Sequence, residues 1–119
     1  MPVSFRLCLV LDLVDDAALI AAYEQHHAPG AVWPVIVDDI RAQGILDMEI
    51  WRSGDRLVMV ATVADDYPRP HTVPPEHDAW EALMWRFQKA VPHAAPGQKW
   101  VPMTRIFALA EQKGSQQTP

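Results

Sequence analysis

The stretch Tyr23–Pro34, which reads YEQHHAPGAVWP, is the segment around which the rest of the chain is organised. Tyr23 and His27 lie four residues apart, so they share one face of a predicted helix that the following Pro29-Gly30 pair ends. We expect that face to point inward, and two buried polar rings cost free energy unless each is hydrogen-bonded. The rings are therefore either satisfied core groups or part of a functional site, and we favour the site.

Hydrophobic periodicity on either side of this stretch predicts both strands and helices. Apolar residues at every second position from Phe5 to Leu13 indicate a strand, and Asp15 and Asp16 supply an N-cap and negative charge for the helix that follows. The predicted elements are, in order, strand Ser4–Leu13, a helix running to about His27, a short helix opened by Pro34 and closed by Gly44, strands Ile45–Arg52 and Arg56–Ala64, a proline-rich loop Asp65–Glu76, helix His77–Val91 and strand Trp100–Leu109.

The order of these elements predicts an α+β fold of the ferredoxin-like kind, an antiparallel sheet with helices on one face. The other face of the sheet also needs cover, and a second copy of the chain is the simplest candidate, which predicts a homodimer. We expect a single domain over residues 1–110 and a flexible C-terminal tail over residues 111–119, because the residues from Glu111 onward are polar.

Composition narrows the class of protein. With 119 residues, 21% of them charged and a net charge of -5, the chain has the profile of a globular domain and offers no basic surface for nucleic acid or an anionic membrane. The apolar run Val3–Val14 is short and is interrupted by Arg6 and Asp12, so it predicts neither a signal peptide nor a membrane span. Cys8 is a lone cysteine and indicates no disulfide, which makes the cytoplasm the expected location.

Four aromatic or imidazole side chains are candidates for a site. His27 leads, because an imidazole with a pKa near 6.5 gives and takes protons around neutrality. Tyr23 and Trp33 supply a hydroxyl and an indole face, which suit the hydrogen bonds and the C–H face of a small polyol. Trp85 falls off the apolar stripe of its helix, so it is either a site residue or a contact with a second copy. A purely structural role in the core remains the alternative for the first three.

The sequence indicates no metal site and no cofactor. His26 points about 100° away from His27 around a regular helix, so the two cannot chelate one ion. His71, His77 and His93 have no ligand spacing that predicts convergence. A glycine-rich phosphate loop, a nucleophile elbow and a cysteine–histidine signature are missing from the sequence as well.

Tyr23-x-x-x-His27, the following proline and Trp33-Pro34 make the chain similar to the L-rhamnose mutarotase family. The resemblance runs from Phe5 to Leu109 and includes a second match over 84–87, MWRF, where the rhamnose enzyme has two tryptophans, a basic residue and a tyrosine, and a third at the ending 105–109. It implies a dimeric α+β barrel that interconverts the α and β anomers of a free 6-deoxy sugar without a cofactor.

The resemblance also implies roles for individual residues. The family histidine that matches His27 acts as the proton donor, and the tyrosine that matches Tyr23 binds the sugar. The adjacent aromatic pair of the family, which matches Met84 and Trp85, binds the sugar too. A family tyrosine on a strand falls at or near Met48, so that hydroxyl is missing here.

Departures from the family pattern lie where the hydroxyls of the sugar would be recognised. The chain has two extra residues between His27 and Trp33, methionines at two family aromatic positions and a longer loop over Asp65–Glu76. These departures leave the proton chemistry intact and resemble the L-fucose-type branch. The sequence therefore predicts a mutarotase that prefers L-fucose over L-rhamnose.

Some alternatives stay open at this point. The second proton carrier in the reaction is Tyr23, Asp47, Glu49 or a water molecule. A cofactor-independent monooxygenase or a small-ligand-binding protein on the same dimeric barrel is the runner-up function, although it would need a large apolar pocket. A non-enzymatic dimeric interaction module is the third possibility, because fold analogy alone does not decide function.

Overall fold

The computed structural model describes residues 4–115, and its elements follow the predicted order. The side chain of Asp16 caps the first helix by accepting a hydrogen bond from the backbone N–H of Leu19 at 2.9 Å. Pro34 is the first residue of the second helix, and Gly44 follows that helix with a φ of +99°, which suits glycine. The elements are β1 (Ser4–Leu13), α1 (Ala17–His26), α2 (Pro34–Ala42), β2 (Ile45–Ser53), β3 (Arg56–Ala64), α3 (Glu76–Trp85), β4 (Gln88–Lys89), β5 (Val101–Pro102) and a 3₁₀ helix (Leu109–Glu111).

The strands form one antiparallel sheet in the order β2-β3-β1-β4. β5 is also antiparallel to β1 and lies beside Leu9 and Val10, whereas β4 lies beside Asp12 and Leu13. Two short strands therefore occupy the edge position that a single fourth strand would fill. This order, with β1 and β3 in the centre, is that of a ferredoxin-like sheet, so the predicted α+β fold is confirmed.

All three helices pack on the same face of the sheet, and the core lies between them. Leu11 and Leu13 of β1 and Leu57 of β3 are fully buried on this face, and Leu11 pairs with Leu57 across the two strands. The main cluster joins the sheet to all three helices and consists of Leu13, Tyr23, Ile36, Leu57, Trp80, Met84 and Phe87. Tyr23 is thus held by core packing, which fixes the orientation of its ring.

The predicted helix His77–Val91 is wrong at its C-terminal end. α3 ends at Trp85, and Gln88 and Lys89 pair with β1 instead of continuing the helix. Val91 precedes a proline, a position that disfavours the helical conformation, and the free edge of β1 offers the backbone other hydrogen bonds. Val91 is nevertheless buried, so the apolar stripe predicted burial correctly where it predicted the backbone wrongly.

The predicted last strand Trp100–Leu109 is also shorter than expected. Pairing ends after Pro102, where the backbone N–H of Met103 donates to the carbonyl oxygen of Cys8 at 2.8 Å. Residues 103–109, which we call the C-terminal arm, carry exposed apolar side chains, and Ile106 is 94% exposed. Nothing within the described chain covers these side chains, so the strand lacks the packing that its sequence pattern suggests.

The face of the sheet without helices, which we call the open face, presents side chains of the three long strands. It is defined by Cys8, Glu49, Trp51, Val58, Val60 and Thr62, which alternate with the buried residues of the same strands. Trp51 is 63% exposed there. Near β5, part of the same face is covered by a smaller cluster of Val10, Val91 and Val101.

Two further expectations concern the ends of the chain and the membrane. Among the helices of the described part of the chain, none combines the length and the apolar character that a membrane crossing requires. The division into a domain over residues 1–110 and a flexible tail over residues 111–119 stays a prediction. The 3₁₀ helix Leu109–Glu111 spans the proposed boundary, and residues 116–119 lie outside the described residues.

Candidate active site

Tyr23 and His27 meet at the C-terminal end of α1, as their spacing predicts. Their ring centroids are 4.3 Å apart, with the ring planes tilted by 35°. Nδ1 of His27 lies 2.7 Å from the backbone carbonyl oxygen of Tyr23. Because a carbonyl oxygen only accepts, Nδ1 carries the hydrogen of that bond. A neutral imidazole in this tautomer has its lone pair on Nε2, so His27 offers a base on the opposite side of its ring.

Burial moves the pKa values of both rings in the direction that keeps them neutral. It lowers the pKa of His27 below the ordinary 6.5, although the bond to the Tyr23 carbonyl opposes this and His26 adds to it. It raises the pKa of Tyr23 above 10.0, opposed by a hydrogen bond from Gln88 and assisted by the charge of Glu81. Near neutral pH the site therefore holds an unprotonated imidazole nitrogen beside a protonated phenol.

Trp80 of α3 packs against the ring of His27. Its indole meets His27 edge-on, with centroids 5.9 Å apart, and it meets Trp33 edge-on at 5.1 Å. Trp33 is the residue before α2, so Tyr23 and Trp80 hold the imidazole directly and Trp33 supports Trp80. Such packing keeps a general base fixed relative to its substrate.

A cavity of about 750 Å³ opens in front of this pair, within the size range of small-molecule sites. Four of the residues that the sequence indicated line it together: Tyr23, His27, Met48 and Met84. Apolar and polar side chains share the rest of the wall. The other lining residues include Leu9, Val32, Ile40, Asp47, Ile50, Met59, Tyr67, Trp80, Glu81, Gln88, Lys99 and Trp100.

The remaining two candidates, Trp33 and Trp85, do not line the cavity. Trp33 packs against Trp80, which lines the cavity. Trp85 is 44% exposed, and the ammonium group of Lys99 lies 4.9 Å from the centroid of its ring. Since Lys99 lines the cavity, Trp85 is placed behind a cavity residue rather than against the space itself.

Several polar residues of the cavity wall were not found from the sequence, among them Glu81, Gln88 and Lys99. Glu81 and Lys99 form an ion pair at 2.6 Å, and Gln88 is buried beside Tyr23. Gln88 gave a faint signal, since it is an amide within the apolar pattern of the predicted helix. Nothing in the sequence brought Glu81 and Lys99 together, because the contact joins α3 to the loop before β5 and depends on the tertiary fold.

The two strand carboxylates are placed differently. Both lie on the open-face side of β2, since Asp47 pairs with Thr62 and Glu49 with Val60, but Asp47 is also among the residues that line the cavity. Glu49 accepts a hydrogen bond from the indole nitrogen of Trp51 at 3.1 Å. Of the two carboxylates considered as second proton carriers, Asp47 is therefore the one near the cavity. Within the described chain, no group of three or more histidine, cysteine or acidic side chains is arranged to hold a metal ion.

The proline-rich loop over 65–76 is tied to the body and contributes to the cavity. Nε2 of His71 lies 2.8 Å from a carboxylate oxygen of the buried Asp39 on α2. The backbone N–H of Arg69 donates to a carbonyl oxygen at the end of the same helix at 2.8 Å. These contacts place Tyr67 in the cavity wall. The loop therefore adds a phenol to the rim of the site.

Comparison with known proteins gives three results. The L-rhamnose mutarotase family model matches residues 6–109. An L-fucose mutarotase from Xanthomonas campestris pv. campestris is 56% identical over 117 residues, which cover 94% of each chain. The crystal structure of an L-rhamnose mutarotase from Formosa agariphila matches with a TM-score of 0.60 at 18% identity, over 88% of this chain and 98% of that one, and supports the fold.

These matches confirm the resemblance that the sequence motifs suggested, and the Xanthomonas relative agrees with the L-fucose-type branch. The monooxygenase, small-ligand-binding and interaction-module alternatives are thereby set aside. Because the family model covers most of the chain and the Xanthomonas relative is more than half identical, the chain belongs to the L-rhamnose mutarotase family and is a sugar mutarotase, an isomerase.

Proposed function

We propose that the chain interconverts the α and β anomers of a free 6-deoxy aldose, with L-fucose preferred over L-rhamnose, by acid–base catalysis centred on His27. The observation that carries this proposal is the Tyr23–His27 pair at the wall of the cavity, with Nδ1 of the histidine occupied and Nε2 free to act. The sugar preference draws on the Xanthomonas relative, whose name is L-fucose mutarotase.

Ring opening needs one proton removed and one proton supplied. His27 Nε2 takes the proton of the anomeric hydroxyl while a second carrier (Tyr23, Asp47 in its protonated form, or a water molecule) gives a proton to the ring oxygen. The bond between C1 and the ring oxygen breaks, an open-chain aldehyde forms, and the second carrier recovers its proton when the ring closes. Rotation about the C1–C2 bond turns the other carbonyl face toward the ring oxygen. The same transfers in reverse then close the ring, and the imidazolium returns its proton as the acid.

Tyr23 is the group that we place at the ring oxygen. Its phenol keeps its proton because burial raises its pKa, so it can donate a hydrogen bond to the ring oxygen while its own oxygen accepts one from Gln88. A water molecule beside it, or Asp47, remains available to relay the proton. The histidine thus begins the ring-opening step as a base and acts as the proton donor in ring closure, which reconciles its neutral state with the family role.

Substrate contacts are divided between direct and indirect ones. Met48 and Met84 present apolar surface to the cavity and suit the methyl group and C–H face of a 6-deoxy sugar. Trp33 supports binding through Trp80, and Trp85 supports it by holding Lys99. No metal or cofactor is needed for this chemistry, because the reaction already proceeds unaided in water.

The function is tested by exchange NMR on free sugars at anomeric equilibrium. With catalytic amounts of protein, saturation of one anomeric proton of L-fucose should transfer to the other anomer faster than in buffer alone, and faster than for L-rhamnose. Equal rates for the two sugars would remove the fucose preference. No acceleration with any aldose would remove the proposed activity.

The rate of exchange should depend on pH through His27. The base form is needed, and burial lowers the pKa of His27 below 6.5, so the catalysed rate should be constant above about pH 6.5 and fall only at more acidic pH. The unfolded chain binds the proton more readily than the folded one in that range, so stability should also fall as the pH drops below 6.5. Exchange rates measured between pH 4.5 and 8, and corrected for the buffer reaction, show whether the catalysed rate falls on the acidic side.

A catalysed rate that already falls above pH 6.5 would contradict the lowered pKa of His27. The His27→Gln variant is the control. Glutamine does not titrate, so any residual catalysed rate of this variant should not fall at acidic pH.

We also propose that the active form is a homodimer joined through the open face. Trp51 and the half-buried Val58 and Val60 form an apolar strip on that face, and the C-terminal arm carries further exposed apolar side chains. A second copy would cover both.

Sites for nucleic acid or a membrane surface are not expected on a chain of net charge -5, and the cytoplasmic location stays a prediction.

A further inference from the structure

Gln88 is a buried amide in the wall of the cavity. It lies on β4 opposite Leu13, directly after the buried Phe87, and is only 8% exposed. Its side-chain nitrogen donates to the phenolic oxygen of Tyr23 at 3.4 Å. Its side-chain oxygen, Oε1, has no hydrogen-bond partner. Among the described residues it is the only buried side-chain nitrogen or oxygen atom that lacks one.

A buried carbonyl oxygen without a partner lowers stability, so an apolar side chain would serve the fold better at this position. The surroundings are apolar, since Leu13, Met84 and Phe87 belong to the main core cluster. The amide also lines the cavity in which the sugar is proposed to bind. A ligand hydroxyl is the donor that would complete the site.

We propose that Oε1 of Gln88 accepts a hydrogen bond from a non-anomeric hydroxyl of the bound aldose, which makes Gln88 a specificity-determining residue. The inference rests on the proposed function of the cavity and adds a recognition group to it. A site that is built to bond one hydroxyl discriminates against sugars that lack it, because the buried polar group is then left unpaired.

The other end of the same amide orients the phenol. Because Nε2 of Gln88 donates to the oxygen of Tyr23, the phenolic hydrogen is free to point toward a second acceptor. One side chain thus reads a hydroxyl with its oxygen and aims the Tyr23 donor with its nitrogen. L-fucose and L-rhamnose differ in configuration at C2 and C4, so the hydroxyls at those carbons are the first to test.

The experiment compares wild-type protein and Gln88→Met on L-fucose and on its 2-deoxy and 4-deoxy analogues, by exchange NMR over a range of sugar concentrations. Methionine keeps the length of the side chain and removes both polar atoms. We expect the KM for L-fucose to rise roughly 2- to 12-fold, the range for one neutral hydrogen bond, with a smaller change in kcat. Gln25→Met, the same change at an exposed position of α1, should leave KM unchanged.

The analogues identify the contact. In wild-type protein one of the two deoxy sugars should lose about as much affinity as the substitution causes, and in Gln88→Met that analogue should lose nothing further. Thermal unfolding is measured alongside to establish that the variant is folded, because the substitution removes both an unpaired carbonyl and the hydrogen bond to Tyr23.

Failure of this inference is separable from failure of the proposed function. Wild-type protein that accelerates exchange of L-fucose, with Gln88→Met unchanged in KM, would overturn the role of Gln88 alone. Wild-type KM values within twofold for all three sugars would overturn it too, without reference to any variant. Wild-type protein that accelerates exchange of no aldose would overturn the function and this inference together.

Discussion

The His27→Ala variant is expected to catalyse anomer exchange about 10²–10⁴-fold more slowly than the wild-type protein, the usual contribution of a positioned acid–base group. The imidazole supplies the lone pair that accepts the anomeric proton, and its neighbours provide no substitute in the same place. Tyr23 is held protonated by burial, and the carboxylate of Glu81 is engaged by Lys99. Exchange NMR at saturating L-fucose measures the loss directly.

The variant should remain folded, because His27 is the residue after α1 and is not fully buried. Alanine leaves a space between Tyr23 and Trp80, so His27→Gln, which fills more of it, separates chemistry from packing. His93→Ala is the matched control, since that histidine is exposed and is not among the residues that line the cavity. Unchanged exchange in His27→Ala would remove His27 from the mechanism, and a collapsed fold in both His27 variants would assign it to the core.

The element order and the sheet topology could be predicted because they depend on local signals. The alternation over Ser4–Leu13, the cap at Asp16 and the glycine at Gly44 each act within a few residues of the feature they determine. The errors arose where tertiary contacts override the local pattern. β4 forms because the edge of β1 is free, and the apolar pattern over 100–109 continues past the point where the sheet ends.

In the candidate site too, the residues that local sequence signals determine could be predicted, and those that depend on tertiary contacts could not. Tyr23 and His27 could be paired because helix geometry joins residues four apart, and the structure brings them together at the cavity. Gln88 and the Glu81–Lys99 pair could not be found, since each depends on the meeting of segments far apart in sequence. Trp85 was a candidate because it falls off the apolar stripe of its helix. In the structure it is 44% exposed and packs against Lys99 instead of lining the cavity.

Size-exclusion chromatography with light scattering is expected to show a dimer for the wild-type protein and a monomer for the double variant Trp51→Ala, Val60→Asp. Trp51 is 63% exposed in the single chain, so its truncation should leave the monomer intact while it removes the largest apolar anchor of the open face. Val60 pairs with Cys8 and Glu49 in the middle of that face, where a second acidic group would have to be buried at the interface.

The expected effect is large because both substitutions fall in the centre of the contact. Truncation of a central tryptophan typically weakens association by about 2–4 kcal/mol, or roughly 30- to 1,000-fold in dissociation constant, before the buried charge is counted. The interface itself should bury at least about 1,200 Å² in total if it is stable at micromolar concentration. Sedimentation over a concentration series gives the dissociation constants.

Ala82→Asp on α3 is the matched control, because it adds the same charge at an exposed position on the opposite side of the molecule and should leave the dimer unchanged. Circular dichroism and thermal unfolding establish that each variant is folded. A wild-type protein that is monomeric at micromolar concentration would contradict the homodimer. A double variant that stays folded and dimeric would show instead that the copies meet elsewhere, with the C-terminal arm as the next surface to truncate.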